Sequence, residues 1–224
     1  MCSSDLSTGS ALAALSLPLR MPGLRGIGVG SVAFLAPASA LAVLAAAALD
    51  PGHDPLSDYV SWLSAGPYWW LAALGVAGLG LSAAAEGVHA SRILSGPPRQ
   101  ATAAFLFCTA ALAAANLALP SRGVGEPLWR TAAHVGLATG AYASIVGAAL
   151  LLAWCQRRNK LLGPATAPWT VALLVGLTAL GLASAHARLV GTGPDLRGLG
   201  QLILMALAAG WMAVASRLAA APTA

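Results

Sequence analysis

Six stretches of this 224-residue chain are apolar, about 20 residues long and free of Lys and Arg in their interiors. They lie at about 27–49, 67–90, 101–119, 131–154, 168–187 and 198–217, each bounded by charge, Pro or Gly. A hydrocarbon core about 30 Å thick takes about 20 helical residues to cross. Backbone exposed to lipid must satisfy its own hydrogen bonds, which leaves the helix as the natural solution for such runs. The pattern predicts an all-α integral membrane bundle of six transmembrane helices, one domain over 27–217, with loops too short to hold another.

Composition closes off the soluble alternative. Hydrophobic residues make up 58% of the chain and charged ones 8%, so twelve Lys plus Arg and seven Asp plus Glu cannot coat a domain of this size. The formal charge of +5 sits on scattered single residues without interleaved stacking aromatics, so membrane lipid is the expected partner and nucleic acid is not. Cys2, Cys108 and Cys155 show no pairing pattern and read as free thiols.

Residues 1–26 are low in complexity and read as a disordered cytoplasmic tail, with a second tail at 218–224. Ala38-Ser39-Ala40 mimics a signal-peptidase site, but the apolar run continues past it, as in a retained anchor. Short-loop Lys and Arg then set the orientation. With the N-terminus inside, Arg20, Arg25, Arg92, Arg99, Arg157, Arg158, Lys160 and Arg217 are cytoplasmic, against Arg122, Arg130, Arg188 and Arg197 outside, eight to four. Both termini are therefore expected in the cytoplasm and the protein in the plasma membrane. Tyr68-Trp69-Trp70, Trp129, Trp154 and Trp169 sit where interfacial aromatic belts belong.

That frame puts the polar string HDPLSDY, residues 53–59, on the outer face. Asp54-Pro55 has the form of an N-cap followed by Pro at the first helical position, so a short interfacial helix is expected from there. On it Leu56, Val60 and Leu63 share one face, and Asp54, Asp58 and Ser61 the other. Either the acids are solvated, or His53, Asp54 and Asp58 turn inward over a pocket. The expectation is a split between the two, with Asp54 capping its own turn and Asp58, one turn further along, turned toward the His134 end of the fourth span.

Other polar residues converge on the same depth. His134 lies one turn into the fourth span, His186 one turn before the outer end of the fifth, and Gln201 just inside the sixth. Asn116 ends a ladder with Thr109 and Thr102 at seven-residue steps, and Arg122, Arg130 and Arg188 stand near the outer ends. Such residues face a bundle interior rather than lipid. The expected ligand-binding set is His53, Asp54, Asp58, Asn116, Arg122, Arg130, His134, His186 and Gln201. Its ligand would be a lipid headgroup or a small amphiphile, with Arg available for phosphate or carboxylate.

Two other functions stay open. An intramembrane hydrolase would use His134 or His186 as general base, with Asp58 or Asp54 orienting it. A small-solute transporter would need a polar route inward through Thr102, Thr109, Asn116, Ser82, Glu86 and His89. No pair of histidines has chelating spacing, so no metal or other cofactor is expected. Glu86-x-x-His89 has the spacing of helical di-metal sites, but only one such pair exists, and a local ion pair of Glu86 with His89 or Arg92 is expected. GLGLSA, residues 78–83, matches a dinucleotide fingerprint by letters only, because no strand precedes it.

Four features together resemble a family of small bacterial and archaeal membrane proteins catalogued as domain of unknown function 998. They are DPLSDYVSWLSAGPYWW in the first outer loop, the corner Leu119-Pro120-Ser121, His134 opening the fourth span and Gln201 opening the sixth. The resemblance covers about 25–218 and implies the six-span topology without assigning a reaction. The chain departs from the family pattern at Arg122, where an acid is usual close behind the Pro, and at Leu202, where Arg commonly follows the Gln.

Overall fold

The computed structural model describes residues 29–94, 96–121, 125–159, 166–189 and 196–218. The N-terminal tail expected at 1–26, and all of the C-terminal one except Leu218, lie outside the described residues. Every regular element described is helical: α1 (Val29–Leu49), a 3-10 helix (Val60–Ala65), α2 (Trp69–Ile93), α3 (Gly96–Ala118), α4 (Leu128–Asn159), α5 (Thr166–Leu189) and α6 (Arg197–Leu218). Among the described residues five helices, α1, α2, α3, α4 and α6, are long and apolar enough to cross a membrane, and the apolar part of α5 is Pro168–Leu180. The protein is an all-helical membrane protein.

Helix ends follow local chemistry more than hydropathy. α3 begins at Gly96, five residues before the apolar run, because Pro97 and Pro98 stand in its first turn, where a missing N–H costs no helical bond. Gly96 itself has φ +68°, which a residue with a side chain would resist.

α2 packs between α1 and α3, α4 lies on α3, α6 on α1, and α5 on α6. Small residues permit the close approaches. A Cβ on Gly75 would strike Val43 and the Ser39 carbonyl of α1, one on Gly78 would strike the Ser39 side chain, and Gly80 faces Ala110 and Ala113 of α3. The glycines of GLGLSA are thus contact points with two different helices. Trp211, Leu204, Leu106 and Met212 are buried at the centre, while Phe34, Leu41, Leu74, Leu81 and Val175 point outward. An apolar exterior on such a scale fits lipid as the surrounding solvent.

The segment after α1 departs from the expected interfacial helix. Residues 51–58 form turns, and regular structure begins only at Val60. Val60 and Leu63 are buried against Val43, Ala72 and Leu202, and Leu56 is half exposed. Tertiary contacts pull this short helix into the end of the bundle instead of leaving it flat on a surface. The bundle therefore has a capped end, carrying the loop, and an opposite end near His89 and Arg92.

Candidate functional site

The cap is held at three places. Asp50 ends α1 buried, with its Oδ1 accepting the Gly52 N–H at 3.0 Å, and Gly66 lies so near this carboxylate that a Cβ would overlap it. Toward α6, Gln201 Oε1 accepts the Val60 N–H at 2.9 Å and the Leu199 N–H donates to the Leu56 carbonyl at 3.2 Å. The Arg197 guanidinium stacks 4.9 Å from the Tyr59 ring centre, and its Nη1 donates to the Tyr59 hydroxyl at 3.3 Å. Toward the α3–α4 corner, the Ser64 hydroxyl donates to the Ser121 carbonyl at 3.1 Å. Gly198 sits where the carbonyls of Pro55, Leu56 and Asp58 converge, leaving no room for a side chain.

Beneath the cap lies a cavity of about 680 Å³, within the usual range for small-molecule sites. The 3-10 helix roofs it with Val60, Ser61 and Ser64, and α2, α3, α4 and α6 wall it. Asn116, His134 and Gln201 line the part nearest the roof, Tyr142 and Thr109 lie deeper, and Leu79, Ile145, Met205 and Met212 make the remainder apolar. α4 and α6 both line the cavity but scarcely touch each other.

The polar groups are oriented by the backbone. His134 is buried, with Nδ1 2.8 Å from the Leu119 carbonyl. A carbonyl only accepts, so Nδ1 carries the hydrogen and Nε2 is left as the ring's acceptor. Asn116 Nδ2 donates to the His134 carbonyl at 3.2 Å, tying α3 to α4 and leaving Oδ1 as an acceptor. Thr109 spends its hydrogen on the Phe105 carbonyl at 3.0 Å.

Below this layer the polar ladder is interrupted. On α3, Leu106 is 1% exposed and stands between Thr109 and the buried Thr102; on α2, Ala83 is 0% exposed and stands between Gly80 and Glu86. Ala83, Leu106, Ile145 and Met212 belong to one packed cluster. Glu86 is buried with Oε2 unpartnered, as are His89 Nε2, Thr102 Oγ1 and Trp211 Nε1. The local ion pair expected of Glu86 does not form. Arg92, six residues on, is rotated about 240° around the helix from Glu86 and is exposed, whereas Glu86 faces the interior.

Of the residues predicted to meet at a pocket, Asn116, His134 and Gln201 line this cavity, whereas His53, Asp54, Asp58 and Arg130 do not. Asp54 serves its own turn, accepting the Leu56 N–H at 3.0 Å and the Ser57 hydroxyl at 2.8 Å. Asp58 accepts the Asp54 N–H at 2.8 Å and lies 3.9 Å from Nδ1 of the buried His53. It is turned to its own loop and not to His134. Arg130 is partly buried at the start of α4, with Nε unpartnered. Arg122 and the side chains of His186 and Arg188 lie outside the described residues. Among the described residues no three His, Cys, Asp or Glu side chains come together as metal ligands. Sequence reasoning placed Ser61 only on the polar face of the expected helix and passed over Ser64 and Gly198. The three-residue spacing of Ser61 and Ser64 is that of a 3-10 turn, whereas Gly198 carries no local signal.

Residues 29–218 match the family described as Protein of unknown function (DUF998). The chain belongs to this family. The match begins where α1 begins and ends where α6 ends, so it takes in the cap and every wall of the cavity. No curated protein and no solved structure matches the chain. The two departures from the family pattern now have surroundings. Leu202 is buried with Val60 and Leu63 under the cap, in apolar surroundings that suit a leucine. At the corner holding Arg122, the carboxylate is that of Glu126, whose Oε2 accepts the Ser121 hydroxyl at 3.0 Å.

Proposed function

We propose that this protein crosses the plasma membrane six times with both ends in the cytoplasm, and that the capped cavity faces outward and holds a lipid headgroup or a small amphiphile. The observation that carries this reading is the polarity of the cavity, with Asn116, His134 and Gln201 under the roof and Leu79, Ile145 and Met212 below. An amphiphile has the same profile along its length. The cavity also lies between α4 and α6, whose backbones stay apart there, so a molecule lodged in it would fill space that the two helices leave open.

The alternatives lose support from particular residues. Small-solute transport needs a continuous polar route, and Ala83 and Leu106 interrupt it. An intramembrane hydrolase built on His134 needs a carboxylate to orient that histidine, but His134 Nδ1 is held by a backbone carbonyl; the side chain of the other candidate base, His186, lies outside the described residues. For the sixth span, α5 is a 24-residue helix packed along α6.

Native mass spectrometry with lipid identification on gently extracted protein tests the reading. A lipid or amphiphile that co-purifies reproducibly, and that an Ala138→Trp substitution filling the cavity displaces, is the expected result. Protein that stays bare through several mild extractions would overturn it.

A further inference from the structure

We infer that the ligand of the cavity is an uncharged amphiphile whose polar end carries a hydroxyl, and that phosphate-bearing lipids are discriminated against. The inference rests on the binding function proposed above and names the chemical class of the ligand.

It follows from what the polar groups have left to offer. Gln201 Oε1 is committed to the Val60 N–H, which fixes the amide orientation and leaves Nε2 as a donor. Asn116 is fixed by the His134 carbonyl and leaves Oδ1 as an acceptor. His134 is fixed by the Leu119 carbonyl and leaves Nε2 as an acceptor. The Tyr142 hydroxyl can donate or accept. The remaining surface therefore combines neutral acceptors with neutral donors.

Among the described residues that line the cavity there is no Lys, Arg, Asp or Glu. A phosphate or carboxylate buried there would meet the lone pairs of neutral His134 Nε2 and Asn116 Oδ1, with no permanent cation among the described lining residues to offset it, so it would bind only at the cost of protonating the buried His134 ring. A quaternary ammonium would lack a carboxylate partner. A hydroxyl suits the set, because it donates to His134 Nε2 or Asn116 Oδ1 and accepts from Gln201 Nε2. The apolar wall of Leu79, Ile145, Met205 and Met212 then takes a hydrocarbon chain. Monoacylglycerols and long-chain alcohols share this chemistry.

The test is a chain-matched pair, 1-monooleoylglycerol and 1-oleoyl lysophosphatidate, titrated against the full-length protein in a non-ionic detergent and read by native mass spectrometry and thermal shift. The neutral lipid is expected to bind at least about tenfold more tightly, the worth of one good hydrogen bond plus an avoided unpaired charge. His134→Ala should weaken the glycerol lipid and narrow the gap. Tyr142→Phe, which deletes one oxygen without disturbing volume, gives a second reading should the alanine variant fold poorly. Equal or tighter binding of the phosphate lipid overturns the inference and leaves the binding function standing. Failure of both lipids to bind overturns both. Wild-type preference in both variants overturns recognition through these groups.

Discussion

Gln201, one turn into α6, accepts the backbone N–H of Val60 through its side-chain Oε1 at 2.9 Å, across 141 positions of the chain. This bond joins the roof of the cavity to its wall, and it also decides which end of the Gln201 amide faces the cavity. Gln201→Leu leaves the Val60 N–H without this acceptor, an expected loss of about 1–3 kcal/mol. Thermal unfolding in detergent should show it, together with faster amide hydrogen exchange over residues 60–65. Gln201→Glu keeps an acceptor oxygen and should lose less. A Leu variant that melts and exchanges like the parent would show that the roof is held without this bond.

Gly198 and Gly136 offer a contrast between two helical glycines. A Cβ on Gly198 would meet the carbonyls of Pro55, Leu56 and Asp58, backbone atoms that cannot step aside, whereas one on Gly136 meets nothing within 4 Å. Gly198→Ala should therefore push the loop off α6 and lower the melting temperature, with Gly198→Val worse. Gly136→Ala should be neutral or gain about 0.5–1 kcal/mol from helix propensity. Equal effects at the two sites would contradict the docked position of the loop.

The apolar layer beneath the cavity can be tested by truncation. Leu106 is fully buried, so Leu106→Ala should cost about 2–5 kcal/mol through lost contacts and the void left behind. Denaturant or thermal unfolding measures it. A loss well under 1 kcal/mol would mean that the layer is loosely packed and the cavity continues inward.

Glu86 is 3% exposed and has an oxygen with no partner. Removing a buried polar group that nothing satisfies should not destabilise, so Glu86→Leu, of similar volume, is expected to melt at the same temperature or higher. A drop of several degrees would reveal that Glu86 is held by a partner in the folded protein.

The proposed orientation is open to a direct check. Cytoplasmic and periplasmic reporters fused after residues 55, 95, 123, 160 and 193 should report outside at 55, 123 and 193 and inside at 95 and 160. An outside signal at 95 or 160 would sink the assignment.

The all-helical membrane architecture is legible in the sequence because length and hydropathy act locally. About 20 apolar residues in a row have few other stable states in lipid, whatever surrounds them. Asn116, His134 and Gln201 could be singled out for the same reason, since a polar side chain within an apolar span is conspicuous by itself. The partners of those residues were not legible. His134 and Asn116 are oriented by carbonyls of Leu119 and His134, and every residue has a carbonyl. Likewise HDPLSDY displays its charges in the sequence, yet Asp54 and Asp58 spend them on amides of their own turn.

What the sequence by itself determined is therefore the all-helical membrane character, the apolar surfaces and the few polar residues that stand out within the spans. The tertiary structure alone decided which of those residues share a cavity, that Ser61 and Ser64 roof it, and that Ala83 and Leu106 close it from Glu86. The physical reason is that hydrophobicity is a property of each segment. A cavity and its hydrogen bonds, by contrast, depend on how far each helix is rotated and slid against its neighbours. Contacts such as Gly75 against Ser39, or Gly198 against the Leu56 carbonyl, set that rotation and slide, and they exist only once the helices have met.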